Sequence, residues 1–134
     1  MPLREIDILL DQMKEHMDQR RFTNAIQIGR TLLTLLTTST PQNRALVRYN
    51  LGVCYNELGR YAEAETEYAE SLRENPTDPD TWYNRANNYH HWAGRGGGSR
   101  SLLATALQYA RRAQQLNPSD GDIPRLIASI QATM

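Results

Sequence analysis

Tyr49 to Pro76 reads YNLGVCYNELGRYAEAETEYAESLRENP, and the reading of this stretch decides the fold. Two runs of helical periodicity are separated by Leu58-Gly59-Arg60 and closed by Asn75-Pro76. Glycine enters left-handed backbone without steric cost, and proline cannot continue a helix. The stretch therefore predicts a hairpin of two short helices joined by a tight turn.

Working outward, the same marks recur at fixed steps. Arg48 to Trp82, Tyr49 to Tyr83, Asn50 to Asn84 and Tyr55 to Tyr89 are each 34 residues apart. Ala64 to Ala106 and Asn75-Pro76 to Asn117-Pro118 are each 42 apart. The difference predicts an insertion of eight residues between Tyr89 and Ala106, where Gly94-Arg95-Gly96-Gly97-Gly98-Ser99 falls. A glycine run breaks helices and has no side chains to pack, so residues 94–101 are expected to form a mobile hairpin loop. Upstream, Arg21-Phe22-Thr23-Asn24-Ala25 matches Arg60-Tyr61-Ala62-Glu63-Ala64 at a step of 39, as Leu33 matches Leu72. The five extra residues before the middle copy predict a second helix longer by about a turn and a half.

Signals along the chain agree with a run of helices. Residues 3–18 place Ile6, Leu10, Met13 and Met17 on one face and Arg4, Glu5, Asp11, Glu15 and Asp18 on the other. Residues 22–37 form its partner. Thr40-Pro41 and Asp78-Pro79 each offer a cap followed by proline at the first helical position. They predict helices from Pro41 to Leu58 and from Pro79 to about Trp92, with Tyr61 to Glu74 between them. Ser99 or Ser101 is expected to cap a sixth helix that ends near Leu116. The last segment, Ile123 to Met134, carries Ile123, Leu126, Ile127 and Ile130 on one face and suits an end cap. Pro124 falls in its first turn, where a missing donor costs little.

Composition narrows the function classes. Lys+Arg and Asp+Glu number 15 each, which argues against nucleic acid, whose backbone needs a basic footprint. The single Cys54 excludes an internal disulfide framework. The N-terminal MPLREIDILLDQM has acids inside its apolar run and no cleavage site of small residues. No apolar run approaches the ~20 residues of a membrane span. The expectation is a soluble cytoplasmic protein with no membrane insertion.

The repeated unit resembles the tetratricopeptide repeat (TPR), whose pattern is Trp-x2-Leu-Gly-x2-Tyr, then Ala-x3-Phe, then Pro, over about 34 residues. The middle copy supplies Leu51-Gly52, Tyr55, Ala64, Tyr68 and Pro76, with Arg48 in the tryptophan place. The last copy supplies Trp82, Tyr89, Ala106 and Pro118, with Arg85-Ala86 for Leu-Gly and Ala110 for the aromatic. The first copy matches in its second helix. The resemblance covers residues 3–120. It implies an all-α fold: a right-handed superhelical array of about three helical hairpins plus a C-terminal capping helix. The expected division is one domain, 1–134, with repeats at about 6–40, 45–78 and 79–120 and the cap at about 121–134. Small Gly52, Ala64 and Ala86 would let helices approach, and Tyr55, Tyr61, Tyr68, Trp82 and Tyr89 would fill the gaps.

The resemblance also implies a site. First helices of such hairpins line a concave face, and residues beside the tryptophan place, and one or two turns further on, touch a bound peptide. Here these are Tyr49, Asn50, Val53 and Glu57 in the middle copy and Tyr83, Asn84, Asn87, His90 and His91 in the last. Lys14 and Arg125 would flank them. Asn both donates to and accepts from peptide backbone, and Tyr adds apolar area with one polar tip. Tyr-Asn after the tryptophan place is also common scaffold in the family, which leaves an edge or convex face as the competing surface. Relatives that grip acidic chaperone tails use a cluster of Lys, Arg and Asn. Asn50 matches one such place, but Leu10, Lys14, Asp80 and Asn84 fill the others, so no carboxylate clamp is expected. The implied function is a non-enzymatic module that binds a peptide or helix of a partner protein. The alternatives are a self-associating scaffold, hence a homo-oligomer, and an assembly or secretion chaperone.

Other chemistry finds no pattern. The glycine run lacks the Gly-Lys-Ser/Thr ending and a preceding strand, so it is no phosphate loop. His90 and His91 are adjacent on a helix and point about 100° apart, and Cys54 and His16 lack ligand spacing, so no metal or cofactor is expected. No nucleophile has a marked base, so no catalytic residues are assigned. Glu57, Glu63, Glu65, Glu67 and Glu70 read as a solvated face, and Cys54 as a buried structural thiol.

Overall fold

The computed structural model describes residues 2–36, 41–95 and 99–134. Within them the chain is all-α: α1 Pro2–Asp18, α2 Phe22–Leu35, α3 Pro41–Glu57, α4 Tyr61–Glu74, α5 Pro79–Gly94, α6 Ser99–Leu116 and α7 Asp122–Ala132. None of these helices is long and apolar enough to cross a membrane. The chain divides into two compact units, Met1–Asn75 and Pro76–Met134.

The first unit holds two hairpins, α1–α2 and α3–α4. Its core runs through Ile6 and Met13, Phe22 and Leu32, Leu51 and Tyr55, and Tyr68. The α1 face anticipated from its periodicity is in place, with Leu10 and Met17 packed against that core and the five charged residues exposed. Both hairpins turn in the same way. Arg60 N–H donates to Tyr55 O at 2.8 Å and Gly59 N–H to Asn56 O at 2.9 Å, with Gly59 at φ 74°. Arg21 N–H donates to His16 O at 2.7 Å and Arg20 N–H to Met17 O at 3.0 Å, with Arg20 at φ 60°. Each pair satisfies helix-end carbonyls through one left-handed residue, the Schellman arrangement. Gly52 is required by packing. A Cβ there would lie 2.6 Å from the Tyr68 ring, so α3 and α4 approach across a glycine.

The second unit holds the α5–α6 hairpin and α7. Asp78 accepts a hydrogen bond from Asp80 N–H at 3.3 Å and from Thr81 Oγ1 at 2.6 Å, and Pro79 follows in the first turn, so the sequence signal is a true cap. Ala86, Ala106, Ala110 and Leu103 form the core with Leu126 and Ile130 of α7. The end helix thus covers an apolar face, as its pattern predicts.

Four expectations need correction. The second helix is not lengthened: α2 and α4 are both 14 residues long. The extra residues fall between Leu35 and Pro41, and Thr40, read as a cap, lies outside the described residues. The glycine-rich insertion is not simply a loop. The residue 34 after Glu57 is His91, yet α5 continues to Gly94; the residue 42 after Tyr61 is Leu103, yet α6 begins at Ser99. Most of the insertion therefore lengthens the two helices, and Gly96 to Gly98 lie outside the described residues. Ser99 is the first residue of α6 and Ser101 its third, so neither stands at the cap position that precedes the helix. Finally, of the acids read as a solvated face, Glu67 is buried. It is 3% exposed and held by two arginines.

Candidate functional site

The residues assigned to partner binding divide between the units, and each set is described within its own unit. In the first, Tyr49, Asn50 and Val53 are half-buried along one side of α3, and Glu57 at its end is exposed. Val53 and Glu57 follow Tyr49 at steps of four, and Asn50 lies about 100° round the helix, so the four span one broad side of α3. The Tyr49 ring leans on Tyr68, with centroids 6.2 Å apart. Val53 packs on the core. Glu57 is paired with Arg20 at 3.1 Å, which ties the end of α3 to the α1–α2 turn. Lys14 is exposed on α1.

In the second unit the same spacing recurs on α5. Tyr83, Asn84, Asn87 and His90 are half-buried, and His91 is exposed. Asn84 Nδ2 donates to Asp80 O at 2.9 Å, which holds its amide along the helix. The His90 and His91 rings lie near-parallel, with centroids 6.4 Å apart. Burial and the His91 charge hold the His90 imidazole below its ordinary value. Asp80 moves the other way, raised by desolvation and then by Asp78 and Asp120. Arg125 on α7 is exposed and paired with Asp122 at 3.1 Å. The strip therefore offers aromatic and amide groups, one weakly basic imidazole and little free charge.

The chemistry elsewhere is structural. Cys54 is fully buried, and desolvation, followed by Glu57, pushes its thiol up to about 12, so it is not a thiolate nucleophile. Among the described residues no group of three His, Cys, Asp or Glu converges as a metal site.

Two features escaped the sequence. Glu67 of α4 accepts from Arg30 of α2 at 2.8 Å and from Arg48 of α3 at 3.0 Å, and Arg30 also donates to Tyr55 Oη at 2.7 Å. This network locks three helices together behind the α3 strip. In the second unit Trp82, Tyr109, Tyr89 and Trp92 form a chain of ring contacts at 5.5–5.6 Å, and the Arg85 guanidinium lies 4.1 Å from the Tyr109 centroid. A signal for the first existed in Arg48, a cation where the repeat pattern has an indole. A lone Glu in an acidic run gave none.

Comparison with known proteins supplies the context. A family model described as tetratricopeptide repeat matches residues 10–79. No curated protein sequence matches the chain. Among solved structures, the first TPR of Spaghetti (RPAP3) bound to an HSP90 peptide is 14% identical with a TM-score of 0.80, over 97% of this chain and 93% of that one. The Yersinia enterocolitica type III secretion chaperone SycD with a peptide of the translocator YopD is 14% identical with a TM-score of 0.78, over 97% and 95%. PcrH from Pseudomonas aeruginosa is 18% identical with a TM-score of 0.71, over 96% and 88%. Another TPR chain matches over 98% of this chain but only 34% of its own length. At these identities the likeness is one of fold.

Proposed function

The chain belongs to the tetratricopeptide repeat family, and from that premise we propose that it is a non-enzymatic module that holds a peptide or helix of a partner protein. One observation carries this reading. The first helix of each of the last two hairpins bears the same half-buried strip: Tyr49, Asn50 and Val53 on α3, and Tyr83, Asn84 and Asn87 on α5. A half-buried tyrosine or asparagine adds contact area and hydrogen bonds without the full cost of ordering a free side chain. Glu57, His90 and His91 extend the strips, and Lys14 and Arg125 supply charge beside them. The solved neighbours that hold an HSP90 peptide or a translocator peptide lend support by fold alone.

The test is capture of partners from native lysate, followed by Asn50→Ala, Tyr83→Ala and Asn84→Ala. Each is expected to weaken the captured complex by about 1 kcal/mol or more, the range in which interface truncations register. Unchanged binding in all three would remove the strips from the account. A second reading, self-association, draws on Ile8, which is 49% exposed on α1. Light scattering across a concentration series decides it: a strict monomer eliminates the scaffold. The chaperone reading uses the same strips on a client and predicts the same variant effects.

A further inference from the structure

The second unit carries a surface that the reading above does not use. Between α5 and α6 lies a cleft of about 560 Å³ with Trp82, Leu107 and Tyr109 among its apolar lining and Arg111, Arg112 and Gln115 among its polar lining. On the other flank of α6, a cleft of about 420 Å³ against Ile127 and Ala128 of α7 shares Arg111 and Gln115 with the first. Arg111 thus borders both partly apolar depressions, and Arg112 borders the first.

Charge sets this face apart. Among the described residues, neither cleft is lined by an Asp or a Glu. Several arginines elsewhere pair with acids: Arg20 with Glu57, Arg44 with Glu74, Arg60 with Glu63 and Arg73 with Glu70. Arg111 and Arg112 are both exposed, and Arg112 Nη1 donates to the neutral Gln115 Oε1 at 3.2 Å. Guanidinium forks match carboxylates, amides match extended backbone, and an aromatic floor takes a bulky apolar side chain.

We propose that the α6 face of the second unit is a separate peptide-binding surface for an acidic segment of a partner protein. A bulky apolar side chain of that segment enters the cleft bordered by Trp82, Leu107 and Tyr109, and its carboxylates meet Arg111 and Arg112. The surface does not use the α3 and α5 strips, nor the places around Asn50 where relatives hold an acidic tail.

The experiment is fluorescence anisotropy on the full chain with a labelled octapeptide, Asp-Glu-Glu-Phe-Asp-Glu-Glu-Leu. Saturable binding with Kd below about 100 µM is expected. Raising salt from about 50 to about 300 mM weakens it, because exposed charges are screened. The double variant Arg111→Glu, Arg112→Glu loses at least about tenfold in affinity, as does the wild type with the Asn/Gln version of the peptide. Both arginines are exposed, so the variant keeps the wild-type melting curve. No saturation up to about 1 mM would overturn the proposal. So would unchanged affinity in the double variant. Loss with Asn50→Ala or Tyr83→Ala but not with the arginine variant would also overturn it, while supporting the strips as the peptide site.

Discussion

Arg48 reaches Glu67 in the first unit at the same two repeat positions where Trp82 meets Tyr109 in the second. The steps are 34 residues from Arg48 to Trp82 and 42 from Glu67 to Tyr109, the offsets of the repeat itself. One hairpin bridges its helices with an ion pair and the next with a tilted pair of rings. A buried pair of charges is costly to break and often cheap to replace whole by apolar groups. Glu67→Ala, which strands the largely buried Arg48, is expected to cost about 3 kcal/mol in urea unfolding. The swap Arg48→Trp with Glu67→Tyr is expected to stay within about 1 kcal/mol of wild type. A swap as unstable as Glu67→Ala would show that the two arrangements are not equivalent.

A second exchange involves size. Gly52 faces Tyr68, and the matching positions in the second unit are Ala86 and Ala110, both fully buried. Where the ring is present there is no room for a methyl group. Gly52→Ala is expected to cost about 2 kcal/mol through overpacking against the ring. In a Tyr68→Leu background the same change should cost less than half as much. Equal costs in both backgrounds would mean that the ring is not what excludes the side chain.

The two turns make opposite predictions. Gly59 and Arg20 hold the same left-handed place, at φ 74° and 60°. Gly59→Ala is expected to destabilise by about 1 kcal/mol, because a Cβ is strained there. Arg20→Gly relieves that strain and is expected to raise stability by a few tenths to about 1 kcal/mol, less what Arg20 draws from its exposed pair with Glu57. Thermal melts of the two variants should move in opposite directions. A lower melting point for Arg20→Gly would mean that its contacts with Glu57 and Phe22 outweigh the strain.

His90 gives a pH dependence with a defined sign. Its folded pKa lies below the 6.5 of the free side chain because burial, then His91, disfavour the cation. Its contribution to stability is therefore full above about 6.5 and is lost as pH falls through the folded value. Relative to His90→Gln, the wild type is expected to lose melting temperature between about pH 7.5 and about pH 5. In His91→Gln the His90 titration, followed by NMR, should move upward. A His90 midpoint at or above 6.5 would contradict the argument.

The fold was legible because its marks are periodic and local. Gly59, Asp78-Pro79 and the paired offsets each act through backbone preference, which does not need the partner helix to be known. The faces of α1 and α7 were legible for the same reason. Glu67 was not. Its burial depends on Arg30 and Arg48, 37 and 19 residues away, and an acidic run on a helix reads as solvent-facing until such partners are placed. The insertion was misread in part because the glycines dominate its composition, while the residues on either side, Trp92 to Gly94 and Ser99 to Leu102, continue the helices. The strips on α3 and α5 came from a family resemblance. The α6 face did not, because Gln108, Arg111 and Gln115 look like any solvated stripe until Trp82 and Tyr109 are seen beside them.

The longer reach of the α5–α6 hairpin also governs the end of the chain. Ala93, in the added turn of α5, is buried in one cluster with Leu103, Leu126 and Ile130, and Ala93, Gly94 and Leu103 border a recess of about 110 Å³ together with Thr133. The C-terminus therefore rests on material the other hairpins lack. Trimming the third hairpin back to the common repeat length would remove Ala93 and Gly94 from beneath the last turn of α7 and leave that turn less covered.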